Sequence, residues 1–236
     1  DGRIDNYTMA YPILKKIDLP ATFNITMGYV TGKLTPGNPT DVKQMNVDMV
    51  RELFSNNKFE IAGHGWAHQN DITDIEKGIT ELKSLLGVNT LTRFGDGFAS
   101  PGTGLSLETW HRLTSNQSNT IRYARVSLRY KSCAWLKTLI RKTSRVLQWP
   151  CLYRMAYQDT MMNDVQDGLI YSIPVLSSIT TNELKAVIKK AIKTKQAIVL
   201  MFHSIVPDGA VHDNWDYEEG KFDTFCQFLK QEEKEG

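Results

Sequence analysis

The stretch Phe59-Glu60-Ile61-Ala62-Gly63-His64-Gly65-Trp66-Ala67-His68 constrains this chain more than any other. A short apolar run reads as a strand, it breaks at Gly63, and two imidazoles follow four residues apart. Neutral imidazole is a common protein ligand for zinc and similar metals. A strand end that hands over to a loop is a rigid place to hold one. Alone, the pair fits two polar loop histidines equally well, so a metal reading needs further ligands from elsewhere.

Around that stretch, strand and helix patterns alternate. Asp5 or Asn6 can cap a helix with Tyr7, Ala10, Tyr11, Leu14 and Ile17 on one face. Residues 21–27 read as a buried strand, and residues 28–39 as a loop rich in Gly and Pro. Asn46 starts a helix with Val47, Val50, Leu53 and Phe54 inward. Another runs from about Asp74 through Ile75, Ile79, Leu82 and Leu86 and stops at Gly87. Residues 90–98 are extended, 99–104 form a tight loop, and Ser106 caps a helix containing Leu107, Trp110 and Leu113. Residues 121–126 and 169–175 are strands, and 181–194 a helix. Residues 197–202 give the strongest strand signal, an apolar run of the kind buried on both faces, ending on His203. Phe222, Phe225 and Leu229 mark a closing helix.

This alternation predicts an α/β protein with a parallel sheet. Six strands are legible, and a strand preceding Asp1 would make seven. Chemistry in such folds gathers at the carboxyl ends of strands, where Asp1, His64, residues 99–104, Arg125 and His203 all fall. At 236 residues the chain could be one large α/β domain or two small ones, and at 41% hydrophobic and 23% charged it can build a sizeable core. No apolar run approaches the roughly 20 residues of a membrane-spanning helix. The three cysteines, Cys133, Cys151 and Cys226, match no metal knuckle and read as buried apolar residues; their odd count leans towards a reducing compartment.

Net charge is only +2 but unevenly spread: residues 109–158 hold no Asp or Glu, while Arg112, Arg122, Arg125, Arg129, Lys131, Lys137, Arg141, Lys142, Arg145 and Arg154 fall there. Residues 127–160 break the alternation and read as a basic insertion. It is either a solvated face or a collar for an anionic partner: an acidic glycan, a lipid-linked pyrophosphate sugar or a membrane surface. Trp135, Leu136, Leu139, Ile140 and Leu147 suit an interfacial helix. No recognition motif for nucleic acid accompanies the charge.

Asp1 with His64 and His68 offers two nitrogens and one carboxylate, a set suited to a catalytic zinc with a position open for water. Gly65 stands where a thermolysin-like site needs Glu. Ser100 lies outside any Gly-x-Ser-x-Gly elbow, and no Gly-Lys-[Ser/Thr] follows the glycines near 95 and 102. Trp66 and Trp215 suit either sugar stacking or packing, and His111 and His212 read as surface residues.

Taken together, these residues resemble the polysaccharide deacetylase family, the NodB-homology carbohydrate esterases. Asp1-Gly2 is similar to the end of the family's Phe-Asp-Asp-Gly motif, and Leu19-Pro20-Ala21-Thr22-Phe23 to its Ala-Thr-Phe strand. Glu60 to His68 resembles Glu-Ile-xx-His-[Ser/Thr]-xx-His. Phe98-Ala99-Ser100-Pro101-Gly102 aligns with the strand end leading to Arg-x-Pro-Tyr-Gly. Tyr123-Ala124-Arg125 resembles an element of one branch, and Leu200-Met201-Phe202-His203 the final Leu-x-x-His motif. The resemblance implies a distorted seven-stranded (β/α) barrel whose first strand precedes Asp1, spanning residues 1–236 as one catalytic domain with the basic insertion. It implies a zinc-dependent hydrolase, or one using another divalent transition metal. Its substrate would be an N-acetyl group on a sugar of a cell-surface polysaccharide or its precursor.

In that reading Asp1, His64 and His68 hold the metal, and His203 protonates the leaving amine. The Gly102 N–H meets the developing oxyanion beside Pro101, and Trp66 contacts the sugar. The family's base is the Asp preceding the ligand Asp, expected upstream of Asp1; within this sequence only Asp5, Asp71 or Asp96 are at hand. Ala99 replaces the Arg that orients the base, and Arg125 is expected to substitute for it in space. Gly65 replaces a Ser or Thr that braces the histidine loop, which predicts a weaker support for that loop. The alternative function is a barrel of the same type that binds metal or glycan without catalysis.

Overall fold

Helical and extended segments alternate as the sequence pattern requires. The computed structural model describes residues 1–37, 43–92, 95–115, 121–129, 133–165 and 168–235. Lys131, Pro39 and part of the extended 90–98 segment therefore lie outside the described residues. The chain divides into two units, residues 1–126 with 167–169, and residues 127–166 with 170–236.

In the first unit the strands β1 (Ala21–Ile25), β2 (Phe59–Gly63), β3 (Asp96–Ala99) and β4 (Ile121–Val126) pair in chain order, every pair parallel. Register runs from Ala21 against Phe59 to Ile25 against Gly63, and ends with Ala99 against Arg125. The carboxyl ends of all four strands therefore share one edge. Each connection carries a helix: α2 (Met27–Val30) and α3 (Val47–Ser55), then α4 (Ile72–Leu86), then α5 (Leu107–Ser115), with α1 (Tyr11–Ile17) preceding β1. Val50 and Leu53 of α3 and Ile75, Ile79 and Leu82 of α4 are buried, and each contributes roughly 1.5–3 kcal/mol by leaving water.

The caps explain the boundaries. Asn46 accepts from Met49 N–H at the start of α3, and Asp71 from Asp74 N–H at the start of α4, two residues earlier than the periodicity suggested. Gly87 closes α4 in the left-handed conformation. The first helix departs from expectation: it opens as a π-turn over Asn6–Ala10, and Asp5 makes no cap because its carboxylate pairs with Arg3 at 3.1 Å. β1 stops at Ile25, since Met27 begins α2.

The second unit holds α6 (Ala134–Leu147), α7 (Pro150–Tyr157), α8 (Thr181–Thr194) and α9 (Glu219–Glu235), with two parallel strand pairs. β5 (Leu169–Pro174) pairs with β6 (Val199–Met201), and β7 (Ser204–Val206) with β8 (Asp216–Glu218). Tyr153 and Tyr157 of α7 are fully buried with rings 4.6 Å apart, and Phe202 packs against Tyr217, Phe222 and Phe225. The basic segment is thus largely helical and gives core residues to its unit.

Two expectations need correction. The apolar run 197–202 yields only the three-residue β6, whose residues are half-buried rather than enclosed. Among the described residues it pairs with β5 alone, so one strand edge stays open and one ladder is all that its apolar residues support. Cys133 and Cys151 are exposed and only Cys226 is buried, because the first two fall on outward positions of the basic segment. Among the described residues no helix is long and apolar enough to cross a membrane.

The start of α8 is fixed by reciprocal hydrogen bonds: Glu183 N–H donates to Thr180 Oγ1 at 3.2 Å, and Thr180 N–H to the Glu183 carboxylate at 2.9 Å. Thr180→Ala should lower stability by about 1 kcal/mol, read as a lower urea midpoint with an unchanged slope. An unmoved midpoint would refute the assignment of this cap.

Candidate metal centre

Three chain segments meet at the carboxyl edge of the first unit. Asp1 lies against β1, its backbone nitrogen donating to the Asn24 carbonyl at 3.0 Å. His64 follows β2 directly and its N–H donates to the Ile25 carbonyl at 2.9 Å, so the end of β1 sets the place of this residue. His68 lies one loop turn further on, with φ +62°, a left-handed conformation that a non-glycine residue adopts at a cost of about 1–2 kcal/mol.

The side chains converge. His64 Nε2 lies 2.9 Å from Asp1 Oδ1 and 3.1 Å from His68 Nε2, and His68 Nε2 lies 3.3 Å from Asp1 Oδ1. His64 Nδ1 is 2.6 Å from the carbonyl oxygen of Ala99, which can only accept. Nδ1 therefore carries the proton, and the lone pair of Nε2 faces the carboxylate and the second ring. A carboxylate lone pair against an imidazole lone pair repels unless a cation lies between them. Ligands about 2.0–2.1 Å from a tetrahedral zinc lie about 3.3–3.4 Å from one another, and the observed triangle is within a few tenths of an ångström of that. Asp1, His64 and His68 therefore fit a divalent transition metal with an open fourth position.

Burial tunes the same groups. His64 is almost wholly enclosed, and desolvation lowers its pKa well below the ordinary imidazole value. Desolvation lowers His68 to about 4. Both rings are neutral at pH 7, the state that ligates a metal.

The loop 64–69 is braced by a residue that sequence reasoning missed. Asp74 Oδ2 accepts from Trp66 N–H and Gln69 N–H, each at 3.0 Å, and Oδ1 accepts from Ala67 N–H at 2.6 Å. On the other side Met27 N–H donates to the Gly65 carbonyl and Gly28 N–H to that of Trp66. The expected weakness at Gly65 is thus corrected. This position has φ +80°, and a Cβ there would lie 2.3 Å from Asp74 Oδ2. Glycine is what allows the carboxylate to reach the loop amides. Gly78 of α4 is needed for the same approach, since its Cβ would lie 2.5 Å from the Gly65 carbonyl carbon. The available signal was an acid in the first turn of the helix after the histidines, which sequence alone assigns to the helix dipole.

A second missed residue, Asn70, joins the histidine loop to the loop after β3. Its Nδ2 donates to the Pro101 carbonyl at 2.7 Å and its Oδ1 accepts from Ser100 Oγ at 2.9 Å. Pro101 is buried in that turn, and Gly102, at φ +54°, is exposed. The Gly102 N–H makes no hydrogen bond among the described residues.

Arg125 ends the register opposite Ala99 and is buried, with no hydrogen-bond partner for Nε and Nη1 among the described residues. Desolvation lowers its pKa to about 10, so it stays cationic at pH 7, and its charge helps keep His64 neutral. The Trp66 ring is half-buried and carries Lys77 Nζ 3.1 Å from its centroid. Of the acids considered as a base, Asp96 pairs with Lys83 at 2.9 Å at the opposite end of β3, Asp71 caps α4, and Asp5 pairs with Arg3. His203 belongs to the second unit, after β6, with its ring 5.8 Å from that of Trp215.

Residues 1–97 match the model of the family described as polysaccharide deacetylase. Over those residues, well under half of the chain, the sequence is similar to that family. The matched segment contains Asp1, His64, Trp66 and His68, and it ends before Pro101, Gly102, Arg125 and His203. Among solved structures the chain is similar to IcaB from Ammonifex degensii, at 21% identity and a TM-score of 0.42, over 53% of this chain and 56% of that one. The chain thus spans about half the length of that structure. No curated protein matches the chain.

Asp74→Ala should strand the Ala67 and Gln69 amides, while Trp66 N–H keeps the residue-74 backbone carbonyl at 3.1 Å, and should lower stability by about 3 kcal/mol and weaken zinc binding about 10- to 100-fold. Thermal melting and competition against a chelating dye measure both, and unchanged zinc affinity would contradict the bracing role. With metal removed, the histidines give a signed pH dependence. The unfolded chain takes up protons near pH 6.5, whereas the folded chain resists doing so down to about pH 4 at His68. Through that window the unfolded state binds more protons, so stability falls as pH falls. The melting temperature of His68→Gln should decline less steeply than that of the parent between those pH values; identical slopes would contradict it.

Proposed function

We propose that this chain is a metal-dependent hydrolase that removes an N-acetyl group from a sugar of a cell-surface polysaccharide or its precursor. The observation that carries the reading is the triangle of Asp1, His64 and His68, with the His64 tautomer set by Ala99, inside the matched family segment. A divalent metal bound there would polarise the acetyl carbonyl and lower the pKa of a water molecule. The protein's own groups do the rest. Asp1 and the two neutral imidazoles hold and orient the ion. The exposed Gly102 N–H is available to the oxyanion as the carbonyl carbon becomes tetrahedral. Arg125, a buried cation whose Nε and Nη1 have no hydrogen-bond partner among the described residues, suits a carboxylate base next to the ligand Asp, and such a pairing would keep that base ionised. His203 gives its proton to the leaving amine. Pro101 shapes the turn that presents Gly102, and the half-buried Trp66 ring supplies an aromatic contact for the sugar.

The distorted seven-stranded barrel belongs to the same reading.

Acetate release from N-acetylated amino-sugar oligomers, with zinc and after chelation, tests the proposal. Release should require metal and should fall by about three orders of magnitude in His64→Ala. In His203→Ala it should fall about 100-fold with zinc affinity unchanged. Tight zinc binding without acetate release would overturn the hydrolase reading in favour of a non-catalytic metal-binding barrel.

A further inference from the structure

Helix α6 presents its apolar side outward. Trp135, Leu139 and Val146, at spacings of four and seven residues, form one stripe and are 72%, 53% and 83% exposed. Leu136 and Leu147 flank the stripe, and Trp149 follows the helix at 57% exposure. The opposite side faces the protein and is mostly polar: Ser144 is buried, Lys137 pairs with Asp159 with its side chain only 12% exposed, and the half-buried Ile140 is its apolar member. A helix on the surface of a water-soluble domain does the reverse, burying its apolar stripe and wetting its polar one.

We propose that this face of α6 docks on an anionic lipid surface, lying in the plane of the headgroups with the stripe at the acyl boundary. Charge supports that occupant. No carboxylate occurs from residue 109 to 158, and Lys142, exposed and beside the stripe by helical spacing, is placed to reach lipid phosphates; Arg154 of α7 is a further exposed cation of the same segment. Trp135 near the start of the helix and Trp149 just beyond its end place amphipathic rings where bilayers take up tryptophan. A second copy of the chain fits less well: two-fold pairing of this face would set the same cations against one another with no acid from residues 109–158 to neutralise them. The helix, 14 residues long, rises about 21 Å, which suits an in-plane element rather than a span. The inference stands independently of the hydrolase reading, because it uses none of the metal-centre residues.

Co-sedimentation of the full chain with phosphatidylcholine vesicles, with and without phosphatidylglycerol, tests it. The parent should bind only vesicles containing phosphatidylglycerol, bind less at high salt, and show a blue-shifted tryptophan emission when bound. The double variant Trp135→Glu, Val146→Glu changes two exposed positions and should keep the parental melting temperature while binding about tenfold less. Failure of the parent to bind anionic vesicles overturns the proposal, and so does equal binding by the double variant. A parental dimer that the variant converts to monomer, without vesicle binding, would give the face to a second copy instead.

Discussion

A single hydrogen bond governs the centre: His64 Nδ1–H to the carbonyl of Ala99. It joins the end of β2 to the end of β3 and decides which ring nitrogen keeps its lone pair. With Nε2 thus turned towards Asp1 and His68, three Lewis-basic atoms crowd within a space suited to one cation. Several features of the first unit support that arrangement. Parallel pairing aligns the strand ends, His64 N–H is fixed by Ile25, and Asp74 with the start of α2 holds the loop that carries His68.

The supporting shell is polar and specific rather than bulky. Asp74 reaches three amides only because positions 65 and 78 carry no side chain, so two glycines and one carboxylate act as a unit. Asn70 performs the matching task between the histidine loop and the Pro101 turn. The cost of the strained backbone at His68 is offset by these bonds, a common distribution of strain around ligand sites. Arg125 adds a fixed positive charge in the same enclosed region, which favours neutral imidazoles and draws in anions.

Much of this was legible in the sequence, and the rest was hidden for definable reasons. Periodicity located the helices around Val50, Ile75 and Leu184 because each buries one stripe, and Asn46, Asp71 and Gly87 lie at helix ends for local reasons that neighbouring residues reveal. The His64–His68 pair and its likeness to a known motif directed attention to Asp1. What escaped were contacts made by ordinary residues across space. Asp74 looks like any acid in a first helical turn, and Asn70 like any loop amide. The run at 197–202 was over-read because apolar content says nothing of how many neighbours a strand has. Helix α6 shows the limit best: its sequence reveals two faces, but only the fold determines that the apolar one looks outward.

The account depends on Asp1, His64 and His68 sharing one cation, and X-ray absorption at the zinc edge of the loaded full chain examines this most directly. It predicts a first shell of nitrogen and oxygen at about 2.0–2.1 Å with the outer scattering of two imidazole rings. A shell of oxygen alone, or sulfur at about 2.3 Å from a cysteine, would contradict it.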